Sequence, residues 1–230
     1  MSFRRTAGWF GIGFVLLEVT GYVLWGAPPA TEATAGEIGR FFAEAGSQPK
    51  VGAVCNALAY CLAVPFIAGF VIPLLKSDRE HGEAYGWVAF GGFMATGATA
   101  LVGLSGSFAQ VLRGGAELDA AAMRAVSDIS SMVYGLAVLL MTVWAGATAV
   151  AVFRRRIMPR WFGSLSAIAG ISGVSGVVSA ASARLGWVIA IGFASLVVWV
   201  FVASVVMLRD GQSYPEESPQ QASVREGGAA

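Results

Sequence analysis

At 230 residues the chain is 56% hydrophobic and only 13% charged, about half the charged share of an ordinary soluble domain. That deficit excludes a water-soluble surface, and a formal net charge of +1 supplies no basic patch for a nucleic acid. The composition predicts an all-α polytopic membrane protein, a six-transmembrane-helix bundle whose first partner is the lipid bilayer.

A span takes roughly 20 mainly apolar residues to cross a hydrocarbon core of about 30 Å, and it must be helical because lipid offers an open backbone no hydrogen-bond partner. Stretches of that kind lie at 7–27, 51–75, 86–111, 129–153, 161–182 and 185–208. The first follows Arg4 and Arg5 but runs longer than a signal-peptide core and carries Glu18, so it reads as a retained signal anchor. In the loop after it, Thr34-Ala-Gly-Glu37 fits a capping box, and Ile38, Phe41, Phe42 and Ala45 follow at helical spacing. These residues predict a short amphipathic helix on the outer membrane face.

The second span holds Pro65 and Pro73, expected to kink it, and both cysteines, Cys55 and Cys61. Six residues apart, the thiols point about 240° from each other on a helix, which rules out an intrahelical bridge and matches no metal or redox spacing. The single histidine, His81, sits in a charged loop. Gly91, Ala95 and Thr99 in the third span, and the run from Gly163 to Gly176 in the fifth, form the small-residue rows that let helix backbones approach closely. Spans three and five are therefore expected at the bundle centre, with the Leu-, Val- and Phe-rich spans two and six facing lipid. Ser127 or Asp128 is the expected cap of the fourth span. Residues 1–210 form the predicted transmembrane domain. The tail at 211–230, rich in Pro, Ser, Gln, Glu and Gly, is expected to be disordered.

Positive charge sets orientation. With the N-terminus inside, the cytoplasmic set is Arg4, Arg5, Lys76, Arg79, Arg154, Arg155, Arg156, Arg160, Arg209 and Arg225, against Arg40, Lys50, Arg113, Arg124 and Arg184 outside. Both termini are expected in the cytoplasm, with Arg154–Arg156 as the deciding group. A faint repeat at an offset of 74 residues pairs Tyr60, Leu62-Ala63-Val64 and Trp87 with Tyr134, Leu136-Ala137-Val138 and Trp161. It would make the second-third and fourth-fifth hairpins parallel copies, as in some transporter folds.

Chemistry has few places to live in such a chain. Glu18 is the one acid deep in a span, where an ionisable group costs a few kcal/mol on insertion scales. With no Lys or Arg at matching depth, it is expected to be neutral or hydrogen-bonded to Thr142, Ser105 or Tyr134. Three roles fit it: a polar link between helices, a proton or substrate contact in a polar cavity, or a position at the lipid edge. Phe14, Tyr22 and Trp25 lie on or near its helical face. Aromatic rings beside an acid suit a cationic or apolar ligand, and equally the interfacial belt. Asn56, Gln110, Asp128 and Arg184 mark the outer half, where Asp128 and Arg184 head adjacent helices and could pair across the mouth of a polar cavity. No nucleotide loop, zinc-protease or hydrolase motif and no Cys/His cluster occurs, so neither cofactor nor metal is expected.

The opening Arg4-Arg5-Thr-Ala-Gly8 and the turn Arg156-Ile-Met-Pro159-Arg160-Trp161-Phe-Gly163, set between six spans, resemble a family of bacterial six-span membrane proteins known as a domain of unknown function, with its Pro-Arg-Trp-x-Gly turn. The chain departs from that pattern in lacking an Arg-x-x-Glu pair in its third span. The resemblance implies a multi-pass protein of the bacterial plasma membrane and brings no activity with it. The expected function is non-enzymatic: binding of a lipid or small apolar molecule, or service as a membrane-protein partner subunit. The alternatives are an intramembrane enzyme with Glu18 as general acid on an isoprenoid-like substrate, and a small transporter coupled to protons through Glu18.

Overall fold

A computed structural model describes residues 2–26, 33–44, 46–113, 119–181 and 183–210; the tail expected to be disordered lies outside them. Helices α1 (Phe3–Trp25), α2 (Ala35–Glu44), α3 (Gln48–His81), α4 (Tyr85–Arg113), α5 (Ala120–Arg155), α6 (Arg160–Ser172), α7 (Ser175–Ala181) and α8 (Ile189–Asp210) are joined into one all-α bundle, with a 3-10 turn over Ala183–Val188 before α8. Six stretches are long and apolar enough to cross a membrane: α1, α3, α4, α5, α6 with α7, and α8.

The helices outrun the apolar stretches that announced them. α3 has 34 residues and α5 has 36, about 51 and 54 Å at 1.5 Å per residue, well beyond a hydrocarbon core. The cap of α5 is accordingly Asp119, whose carboxylate accepts from the Ala122 N–H at 2.7 Å, and not Ser127 or Asp128, which lie two turns inside the helix. α5 stops at Arg156, which takes a left-handed conformation with φ 52°. Pro159 then opens α6. Between the two chain reversals at the same end, Asp78 of α3 is buried and accepts from the N–H groups of Gly86 (2.6 Å) and Trp87 (3.3 Å), capping α4 from a neighbouring helix. Glu83, in the short loop between them, accepts from Arg155 Nε at 2.9 Å and also pairs with the Arg155 Nη2 and, at 3.7 Å, with Arg154.

The expected capping box is present at α2. Glu37 accepts from the Thr34 N–H at 2.7 Å and its own N–H donates to the Thr34 hydroxyl at 3.3 Å; the bonds from Thr34 hold the exposed Glu37 carboxyl below the usual carboxylate range. α2 buries Ile38 and packs on α5, while Phe42 meets Trp25 at the end of α1 edge-on.

Glycine sets the spacing of the bundle. A Cβ on Gly173 would lie 2.5 Å from Thr142 Oγ1 and 2.9 Å from the Val138 carbonyl, and one on Gly176 would overlap the Gly135 carbonyl oxygen. α6 and α7 therefore lie against α5 backbone to backbone, with the helix interrupted at Gly173 and Val174. The centre differs from the expectation. Half of the apolar stretch of α5 is buried and slightly less of α6–α7, but only a third of α4, the same share as α3 and α8. The glycines of α4 that meet a neighbour are Gly86, against the α3 backbone at Leu74 and Leu75, and Gly92, Gly103 and Gly106, against Trp144, Tyr134 and Ser130 of α5, and its other side presents Phe90, Met94, Leu101 and Val102 outward. α5 packs on α2, α3, α4, α6, α7 and α8 and leaves one stripe, Ile129, Met132, Leu136 and Val143, outward.

Toward the end that carries Phe3 and Arg209, the interior is filled by rings. Phe66, Phe70, Phe93, Trp144, Phe162 and Trp199 are buried together. Phe93 stacks on Trp144 at 4.1 Å between centroids, and Trp199 meets Trp144 at 4.6 Å and Phe70 at 4.9 Å, both edge-on. Trp199 Nε1 donates to Ser166 Oγ at 2.9 Å, and that hydroxyl donates to the Phe162 carbonyl. Contacts of this geometry contribute about 0.5–1.5 kcal/mol per pair beyond the area they bury.

Candidate intramembrane site

Beyond the ring cluster, toward the end that bears α2, lies the polar part of the interior. α1 supplies Glu18, 4% exposed. It faces inward because Ala7, Gly8, Gly11, Phe14 and Gly21 share its side of the helix, a row narrow enough for α3 and α8 to close over. One turn on, Gly21 receives the side chain of Asn56 from α3, which occupies the space that a Cβ at Gly21 would need. One turn along α3 from Asn56, Tyr60 packs edge-on against Phe14 and lies within electrostatic reach of Glu18. From α5, Tyr134 lays its ring on Gly103, hydrogen-bonds Ser107 and lies within electrostatic reach of the same carboxyl. Glu18, Asn56, Tyr60 and Tyr134 thus come together from three helices.

What distinguishes the group is what it leaves unmet. Glu18 Oε2 and Asn56 Oδ1 are both buried and have no hydrogen-bond partner among the described residues. Two of the partners expected for Glu18 are engaged elsewhere: Thr142 donates to the Gly170 carbonyl at 2.9 Å and Ser105 to the Val102 carbonyl at 2.7 Å. An unsatisfied acceptor in an apolar interior costs about 1–3 kcal/mol, and more if charged.

The other residues singled out in the sequence fall elsewhere. Tyr22 is 52% exposed and stacks on Phe193 of α8 at 5.3 Å. Gln110 is buried and satisfied, its Nε2 donating to the Met123 carbonyl at 3.0 Å, which braces the end of α4 against α5. Asp128 pairs with Arg124 one turn away at 3.0 Å. Arg124 also donates to the Ala33 carbonyl, tying the start of α2 to α5. Arg184 lies in the 3-10 turn, and its side chain is outside the described set. Among the described residues no three His, Cys, Asp or Glu side chains gather as for a metal.

Tyr60 is the member that residue-by-residue reading passes over as a site residue. Its signal was the 74-residue offset, which pairs it with Tyr134. The same offset pairs Asn56 with Ser130, whose buried hydroxyl also has no partner among the described residues, and Phe70 with Trp144 of the ring cluster. These three pairs set α3 and α5 alongside each other in the interior, while the offset pair on α4 and α6, Trp87 and Trp161, is exposed.

Six apolar spans in one bundle define a multi-pass integral membrane protein in contact with a lipid bilayer. Comparison with family models, with curated proteins and with solved structures gives no match.

Proposed function

We propose that the chain is a multi-pass protein of a bacterial plasma membrane, both termini cytoplasmic, that binds a small, largely apolar molecule carrying a hydrogen-bond donor at Glu18. The observation that carries this reading is the pair of buried, unpartnered acceptors, Glu18 Oε2 and Asn56 Oδ1, beside the rings of Phe14, Tyr60 and Tyr134. An amine, with two or three N–H donors, would satisfy both oxygens and a hydroxyl one of them, and the aromatic walls would take the apolar remainder or, for an ammonium, add cation–π attraction. The positive charge on the Arg154–Arg156 turn supports the orientation. The Pro159-Arg160-Trp161-x-Gly163 turn supports placing the chain with the six-span family it resembles.

The test is chemical extraction of wild-type and Glu18→Gln protein purified from the same membranes. Mass spectrometry should find a donor-bearing apolar compound with the wild type, reduced at least about ten-fold in the variant, the loss expected for 1.4 kcal/mol or more. Identical extracts from two equally helical proteins would sink the proposal. A second reading, proton-coupled transport, is favoured by the way α3 and α5, at positions 74 residues apart, bring Tyr60 and Tyr134 within electrostatic reach of one carboxyl. It requires uptake that depends on pH and vanishes in Glu18→Gln.

A further inference from the structure

At the end of the bundle that carries Phe3 and Arg209, an open groove of about 280 Å³ runs between the start of α6 and the last turns of α8. Trp161, Phe201, Val202, Val205 and Val206 make its walls, and Arg209 stands at its rim. Pro159 is common to this groove and to a shallower polar depression beside it, bordered by Arg156 and Arg160. Trp161 and Phe201 are large and outward-facing, 54% and 48% exposed. Two carboxylates of this end are occupied elsewhere, Glu83 by Arg154 and Arg155 and Asp78 by the N–H groups that open α4.

The groove belongs to the outer surface of two spans, so what fills it comes from the membrane and is apolar over most of its length. Its polar mouth is bordered by arginine, whose guanidinium group suits phosphate oxygens. Trp161 stands where an indole ring sits at head-group depth. We propose that this groove holds an anionic phospholipid of the bilayer, an acyl chain along Phe201, Val202, Val205 and Val206 and the phosphate against Arg160 and Arg209. The site is separate from Glu18 and does not depend on it. A zwitterionic lipid offers the same phosphate with a compensating cation, so net charge is what the site selects, by about five-fold per arginine near a membrane surface.

The experiment uses the full chain in phosphatidylcholine vesicles doped with brominated-chain phosphatidylglycerol or, separately, brominated-chain phosphatidylcholine. Bromine quenches nearby indoles, and subtracting the signal of Trp161→Phe isolates the ring in the groove. Half-quenching by the anionic lipid is expected at a mole fraction at least about five-fold lower than by the zwitterionic one. Arg160→Gln with Arg209→Gln should bring the two curves together, while Arg209→Lys, which keeps the charge, and Arg79→Gln, an exposed cation of the same end outside the groove, should keep them apart. Coincident curves in the wild type, a preference that survives the double variant, or one lost in Arg79→Gln would each overturn the proposal.

Discussion

Glu18 separates two ideas that a sequence leaves joined. If its carboxyl links helices, replacing it loosens the bundle; if it awaits a ligand, replacing it removes an unpaired polar atom from an apolar interior. The unpartnered Oε2 favours the second. Glu18→Met is therefore expected to stabilise the empty protein by about 1–3 kcal/mol, seen as a higher unfolding temperature in detergent, while abolishing ligand retention. A lower unfolding temperature would make Glu18 a structural link instead. Gly21 gives the complementary case. Gly21→Leu must displace Asn56, and overpacking of this kind costs about 1–3 kcal/mol, with loss of binding expected alongside. Glu18, Asn56 and Tyr134 each stood out in the sequence as polar groups within apolar stretches. Their convergence did not, because it depends on which faces of three helices meet, and that is decided by the glycines at 11, 21 and 103 acting on partners far along the chain.

Elements were legible where solvent wrote them and less so where other helices did. Hydropathy located all six spans because it measures contact with lipid. It misplaced the start of α5 because a helix continues for as long as its hydrogen bonds and caps allow, past the point where lipid ends, and Asp119 rather than Asp128 closes it. The capping box of α2 was readable because both halves of the bond lie within four residues. The cap of α4 was not, since Asp78 sits on the preceding helix eight residues from the first N–H that donates to it. Asp78→Ala should cost about 1.5–3 kcal/mol, the range for bonds to a charged group, measured by thermal unfolding. Asp78→Asn should recover part of that loss, since its amide oxygen can still accept. At the α5–α7 contact, Gly176→Val must push apart two backbones already in contact at Gly135. A fall in stability of about 1–3 kcal/mol or more is expected, and a variant as stable as the wild type would show that the two helices do not pack this closely.

At the scale of the whole molecule, the sequence conveyed the number of spans but not which of them is central. Small residues mark close approach, yet α4 has glycines against both α3 and α5 with only a third of its apolar stretch buried, whereas α5 packs on six other helices and has half of its stretch buried. The proposed orientation puts both termini and the Arg154–Arg156 turn in the cytoplasm. Reporter fusions after residue 210 and within that turn should both read as cytoplasmic, and an exported reporter at the turn would reverse it. The same end carries a pH-dependent fastening. Hydrogen bonds from Arg155, then the charges of Arg155 and Arg154, hold the Glu83 carboxyl below the usual carboxylate range. A group lowered in the folded state stabilises it above its ordinary range, and that contribution disappears as pH falls through the lowered value. The unfolding temperature should thus be flat near neutrality and drop below about pH 4, with a smaller drop in Glu83→Gln.

The six packed rings between Glu18 and the end that carries Arg154–Arg156 have a consequence for traffic. They form a stopper across one half of the bundle, so a visitor to the carboxyl arrives from the compartment that α2 overlooks or sideways through the bilayer. In sealed vesicles of known sidedness, a membrane-impermeant competitor would then displace the occupant from one face only. For a carrier to release its cargo on the other face, Trp144 and Trp199 would have to part, and their indole fluorescence would report that step as it happens.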